Sequence, residues 1–479
     1  MRRDLIFLIF LFLFLLIYNI LLFNLFKKSK TLKEEVKVVK EEVVSVKKFE
    51  VDKENPLVVE SPIYKIYIDP SRGIIYRVEL KKYKDENKNG VVLIDGPLFL
   101  FSEDTLKLYE FKGERKMSIR ETESVSIEFK GKDKRFKNYR FYGNLYKFDY
   151  LSGNYGDFIN YFIEPLDKKE DIKENNLLIY ENGKIKKFER NKIGELNFSE
   201  QINWIASKSM HFLFCEIYPQ DSRPYILKKI DNKYFSLSFK KNKISFEGYI
   251  GPLDYFLLKD TGYGLEGIYP SGWTLVKPFT LAILYIFRLF SSFIKNYGLI
   301  IIIFSLLMKI VFMPLSLKSL KSMQKLSSLQ GRLKAIQKAY KDDPKRLQEE
   351  TFKLYKEAGV NPFSGCLPLL LQLPIFWGLY QVLRYDIMFR KAPFIFWIKD
   401  LSFKDPYYVL PVLMGITSII QQLLQPSQEK QTRNIGFFMS AFITIIFLNF
   451  PAGLVLYWFI YNVWGIFETI ILKRMGIKK

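Results

Sequence analysis

The stretch "FSLLMKIVFMPLSLKSLKSM", residues 304–323, sits at the end of an apolar run of membrane-spanning character, with Lys309 inside that run and Pro314 five residues later. A lysine at the centre of a span costs about 2.5–3.5 kcal/mol on the insertion scale, so it needs a compensating environment. Lys309 lies eight residues before Leu317, roughly 12 Å from the cytoplasmic edge at 1.5 Å per residue. Its side chain reaches only about half that distance, so simple snorkelling is strained. Two environments satisfy the charge. One is an ion pair with an acid on a neighbouring span, and Glu468 near the inner end of the last apolar run is the acid in view. The other is a water-filled pocket open to the cytoplasm, in which the ammonium attracts acidic or polar segments. The reading favours water.

Working outward, the sequence has two kinds of composition. Residues from about 30 to 270 are rich in Lys, Glu, Asp and Asn, whereas 274–317, 366–383, 407–424 and 435–472 are dominated by Ile, Leu, Phe, Val and Tyr. This predicts a polar domain joined to a membrane domain. The net charge of +23, from 73 Lys+Arg against 50 Asp+Glu, comes mostly from lysines interleaved with acids. That pattern argues against a nucleic-acid-binding block. Cys215 and Cys366 fall in different compartments, so neither a disulfide framework nor a zinc site is expected.

Residues 1–26, two arginines and then roughly 22 apolar residues, are long enough to span a bilayer. They lack the short core and small-residue cleavage site of a signal peptide, which predicts an uncleaved anchor with a cytoplasmic N-terminus. A charged tether follows at 27–55. From residue 56 to 270 the pattern is period two: "IYKIYID" and "IIYRVEL" around the turn "PSRG", then "YFSLSF" and "KISFEGYI" around "KKNK" as a second such pair. Many short strands with turn signals predict a β-sandwich outside the cytoplasm. Residues 271–295 carry Lys277, Arg288 and Lys295 around an apolar run and read as an interfacial amphipathic helix.

The remainder, 296–479, holds five candidate spans at about 297–317, 364–384, 407–425, 434–450 and 452–472. The basic segments after the first, third and last place those ends in the cytoplasm. Residues 318–358 form a helical hairpin, with seams Leu326, Leu329, Leu333, Ile336, Tyr340 and Leu347, Thr351, Leu354, Ala358. Asp343 and Pro344 start its second limb, and Gly359 stops it. Near Lys309, polar residues that fit a groove are Ser305, one turn away, Gln372 between Pro368 and Pro374, and Tyr457 with Trp458 in the last span.

These segments resemble a known family. "NPFSGCLPLLLQLPIFWGLYQVL", "DPYYVLPVLMGITSIIQQ", "FPAGLVLYW" and the K-x-x-x-x-P of Lys309 to Pro314 resemble the membrane-protein insertases of the YidC/Oxa/Alb family. "NWIASKSMHFLFCEIYP" and "YIGPLDYFLLKDTGYGLEG" are in register with the periplasmic domain of its bacterial members, a supersandwich. The resemblance implies a multi-pass protein of the bacterial inner membrane that inserts and helps fold other membrane proteins, alone or with the Sec translocon. It implies a substrate groove at Lys309, Ser305, Gln372, Tyr457 and Trp458. Lysine stands where the family usually has arginine, keeping the charge and losing the planar fork. Trp458 replaces the second of a tyrosine pair.

A greasy track for the substrate helix is expected at Phe376, Phe438 and Phe442. Nascent membrane proteins, the ribosome and anionic lipids are the further partners. No metal, cofactor or catalytic residue is expected, and no G-x-x-x-x-G-K-[ST] nucleotide loop occurs. The alternative is a polytopic channel or transporter with a sugar-binding β-domain, which predicts matched repeats and broken helices; five unlike spans do not show them.

Overall fold

The computed structural model describes residues 51–474, less short stretches of which 102–108 and 162–173 are the longest. The expected anchor at 1–26 and all but the last residues of the tether lie outside the described residues, as does Cys366. The rest divides into two units. One runs to Ser209 and resumes at Phe214–Ile250, while Met210–Leu213 and everything from Gly251 on form the other.

The first unit is built from three sheets. In the first, Tyr64–Asp69 and Ile74–Lys84 pair antiparallel with Ile66 opposite Val78 and Tyr64 opposite Leu80, all four side chains buried. The "PSRG" turn between them closes because Asp69 Oδ1 accepts from Ser71 N at 2.8 Å and Ser71 Oγ at 2.6 Å. Its Oδ2 takes Arg72 Nη1 at 2.8 Å. A short polar side chain bonding its own backbone two residues on is what makes Asp a turn residue.

Nine strands make the second sheet, ordered in space as 184–189, 176–181, 202–208, 212–217, 243–252, 147–153, 136–142, 124–131 and 109–110. Its core is aromatic: the Tyr150 ring lies 5.0 Å from Tyr139 and 4.8 Å from Phe246. Five strands, 195–197, 224–229, 234–239, 158–161 and 100–101, make the third.

The second expected hairpin is corrected here. Tyr234–Phe239 pairs with Pro224–Lys229 and Phe158–Tyr161 in the third sheet, whereas Lys243–Pro252 pairs with Lys147–Gly153 in the nine-stranded sheet. The chain changes sheets between them. Phe235, Leu237, Ile244 and Phe246 are buried and Phe239, at the strand end, is half-buried, so the alternation identifies the inward faces. Periodicity fixes which side chains turn inward but leaves the strand's partner open, and a short polar connection serves a sheet change as well as a hairpin.

Strand structure ends at Pro252, short of residue 270, and the second unit is helical from Tyr255. Helix α1 (Tyr255–Thr261) starts where Asp254 accepts from Phe256 N and Leu257 N, and Asp254 also holds Arg288 at 2.6 Å. That arginine lies on α2 (Lys277–Ser291), the expected interfacial helix. Thr280, Ile283, Leu284 and Phe287 form its buried face, while Phe279, Tyr285 and Leu289 stay exposed. Helix α3 (Tyr297–Ser328) is capped by Asn296 and runs through Pro314 well past the expected end of the first span at 317. Lys, Ser, Leu, Met and Gln after Leu317 propagate a helix, so the drop in hydropathy marks no helix end.

Helix α4 (Gln330–Ala339) and α5 (Pro344–Glu357) pack together as the hairpin. Asp343 Oδ1 accepts from Lys345 N and Arg346 N, and Gly359 at φ +61° stops α5. Then follow α6 (Leu367–Tyr385), α7 (Val409–Leu423), α8 (Lys430–Phe447) and α9 (Ala452–Arg474). Phe287, Ile301, Phe304, Leu383 and Leu454 are among the residues of their common core. Among the described residues, α3 and the Ala452–Ile471 part of α9 are long and apolar enough to cross a membrane; Val409–Leu423 and Gly436–Phe447 are shorter apolar helices.

The connection from α6 to α7 is held by buried carboxylates. Asp405 accepts from Trp397 Nε1 at 3.0 Å, Tyr407 N at 3.0 Å and Leu410 N at 2.8 Å. Asp386 accepts from Tyr269 Oη at 2.9 Å and Met388 N at 3.0 Å. Complete burial, reinforced by the nearby Asp254 charge, pushes Asp386 up from 3.8 to about 7.

Candidate functional site

Helix α3 turns Lys309 and Ser305, four residues apart, to one buried face. Ser305 Oγ donates to its own helix at Ile301 O, 2.7 Å away, which uses its proton locally. Lys309 is the correction that matters most. Its Nζ lies 2.8 Å from Glu468 Oε2, with the two side chains 5% and 6% exposed, and 4.7 Å from the centre of the Tyr461 ring. The expected unpaired, hydrated ammonium is therefore an ion pair with an aromatic face beside it. In a helix the Cβ bonds tilt towards the N-terminus, which aims a glutamate in the last turns of α9 back along the helix towards Lys309. Glu468 Oε1 is buried and has no hydrogen-bond partner among the described residues.

Gln372 and Tyr457 form a second polar contact: Gln372 Nε2 donates to Tyr457 Oη at 2.9 Å, and both residues are buried. The five expected groove residues thus separate. Ser305 and the Gln372–Tyr457 pair satisfy themselves within the packed helices, while Trp458 faces a cavity.

That cavity, about 240 Å³, is lined by Ser418, Gln421 and Gln422 of α7, Gly436, Ser440 and Ile443 of α8, and Trp458 and Asn462 of α9. Asn462 Nδ2 donates to Ser418 Oγ at 2.7 Å, and Ser440 Oγ donates to Gln422 Oε1 at 3.4 Å. Of these residues, only Trp458 belonged to the sequence expectation. A signal for those of α7 is present in "TSIIQQ": Ser418 and Gln422 repeat at four residues in a largely apolar helix, and Thr417 and Gln421 do the same. Lys309 adjoins this cavity through Gly465. A methyl built there would sit 3.3 Å from Lys309 Nζ and against Gln421 Nε2, so the missing side chain leaves the ammonium beside a cavity-lining amide.

Phe376 departs from the expected greasy track. Its ring is buried among Trp377, Phe447, Phe450 and Trp458, at centroid distances of 5.6 to 5.8 Å. A side chain between two helices packs against whichever aromatics face it, and apolar character alone does not distinguish lipid from core. Phe438, 68% exposed, stacks on half-buried Phe442 at 6.5 Å. His211, the chain's single histidine, is buried with Nδ1 3.1 Å from Tyr385 O. Among the described residues no three His, Cys, Asp or Glu side chains gather as a metal site.

The family model described as 60Kd inner membrane protein matches residues 289–479. A Membrane protein insertase YidC of Syntrophus aciditrophicus is 31% identical over 477 residues, covering 89% of this chain and 86% of its own. Another, of Aquifex aeolicus, is 31% identical over 506 residues, covering all of this chain and 96% of its own. Among solved structures, an active YidC insertase with its first transmembrane domain resolved is 22% identical, covering 88% of this chain and 93% of that one, with a TM-score of 0.41.

Proposed function

This chain belongs to the YidC family of membrane protein insertases, and on that premise we propose that it inserts and helps fold proteins of the bacterial inner membrane. The observation that carries the reading is the polar cavity of α7, α8 and α9, set among the apolar stretches Val409–Leu423, Gly436–Phe447 and Ala452–Ile471. Helices α3 and α6 to α9 cross the membrane, both chain ends and the α4–α5 hairpin lie in the cytoplasm, and the β-unit is periplasmic. A polar tail entering the cavity meets Ser418, Gln421, Ser440 and Asn462 in place of hydrocarbon, which shortens the apolar distance it must cross. Lys309, exchanging Glu468 for a client's carboxylate, supplies the attraction for acidic groups. The client's apolar helix leaves into lipid along Phe438 and Phe442, driven by apolar burial and the membrane potential with no catalytic step or nucleotide.

Exposed Arg332, Lys334, Lys338, Lys341 and Lys345 on the hairpin receive nascent chains from the ribosome and contact anionic lipid. Sec-dependent clients reach the same cavity from the translocon. The test is insertion of a single-span substrate by the full-length protein in proteoliposomes, read by protease protection. Wild type inserts it, and Ser440→Leu or Asn462→Leu, which fill the cavity with hydrocarbon, lower the yield while the protein remains folded. Undiminished insertion by folded Leu variants would remove the cavity from the mechanism.

A further inference from the structure

We propose that Glu468 is a built-in competitor for Lys309, a tethered carboxylate that a client's acidic group must displace before it is held. This rests on the insertase reading above and adds a selectivity element to it. Three features point to an exchangeable contact. The pair is joined through one carboxylate oxygen, Oε2, while Oε1 is buried and has no partner among the described residues. A carboxylate kept for stability accepts donors at both oxygens, as Asp405 does on the α6–α7 connection. Lys309 also lies close to the wall of the cavity that a client would enter. Gly465 leaves its Nζ beside Gln421 of the cavity wall, and Gln421 makes no side-chain hydrogen bond among the described residues, so its amide N–H is available to a second carboxylate oxygen. Finally, the Tyr461 ring face against Nζ stabilises the cation whichever carboxylate it holds, so the ammonium is not stranded during the exchange.

A client carboxylate in the cavity would take Nζ and Gln421 together, and Glu468 would swing away. While Glu468 occupies Nζ, the competent fraction of the site is small and the apparent affinity for an acidic segment falls by that fraction. Clients with several acidic groups out-compete it; clients with one weakly acidic group do not. Glu468 therefore sets how acidic a segment must be to be held.

The experiment uses full-length protein in proteoliposomes and two single-span substrates whose translocated tails differ only in Asp/Glu against Asn/Gln. The readout is the ratio of acidic-tail to neutral-tail insertion, a quantity that a general loss of folding does not raise. Glu468→Gln is expected to raise that ratio by about tenfold, the tax of the closed state removed, and Glu468→Asp, which keeps the charge, to stay near wild type. A Glu468→Gln ratio equal to or below wild type overturns the proposal, and so does failure of both variants to fold, which would assign the pair to stability. The insertase reading fails separately, when wild type inserts neither substrate.

Discussion

Two buried carboxylates of the helical unit are held very differently. Asp405, between α6 and α7, accepts three hydrogen bonds, two from the backbone and one from an indole. Glu468, in the last turns of α9, has among the described residues one ionic partner and an oxygen with none. A buried acid with donors on both oxygens behaves as a fastener, because any movement loses several bonds together. A buried acid with one partner is held by that partner alone, and loss of the partner exposes the full cost of the desolvated charge. The contrast separates a region built to stay fixed from one able to exchange.

The sharpest way to break the comparison is Lys309→Ala. It strands Glu468 without its ammonium, and a loss of about 3–5 kcal/mol is expected in unfolding of the detergent-solubilised protein. The double variant Lys309→Met with Glu468→Leu is expected to recover most of that loss, since no charge is left buried. Failure of the double variant to recover the loss would show that the pair is not what stabilises this end of the bundle. Asp405→Ala comes next: three donors and the start of α7 lose their acceptor, at a cost of roughly 2–3 kcal/mol by the same measurement.

A smaller effect is expected from Asp386, whose carboxyl is raised to about 7 from 3.8. Between those values the folded chain binds a proton that the unfolded chain has released. Stability from this group is therefore present at low pH and falls as pH rises towards 7, by about 2 kcal/mol between pH 5 and 7. Asp386→Asn should flatten that slope in unfolding curves taken across the range, and an unchanged slope would locate the pH dependence elsewhere. Least of all is expected from Ser305→Ala. Its hydroxyl serves its own helix, so stability within about 0.5 kcal/mol of wild type and unaltered insertion should follow.

Much of the architecture was legible before any coordinates. Alternation around "PSRG" gave a real hairpin in register, Asp343 and Pro344 gave the start of α5, and Gly359 gave its end, because turns and caps are settled within four or five residues of chain. The expected pairing of 234–239 with 243–252 does not form, because each strand takes partners from elsewhere along the chain. The same distance hid the site. Ser305 and Gln372 look like groove residues from their polarity, yet one bonds its own helix and the other bonds Tyr457. Phe376 looks like a lipid-facing ring, yet Trp458 and Phe447 enclose it. Ser418, Gln421 and Gln422 were visible as polar residues in an apolar helix, but that they face one cavity with Ser440 and Asn462 depends on how three helices pack.

By itself the sequence determined where apolar runs, strands, caps and charges fall, and it put one lysine among oily residues with one glutamate as its nearest acidic prospect. Only the tertiary structure decided that the two meet at 2.8 Å, because the pairing depends on the axial level at which α3 and α9 pack. That level is set by side chains interlocking across the helix contact, a sum over many residues that no local pattern encodes.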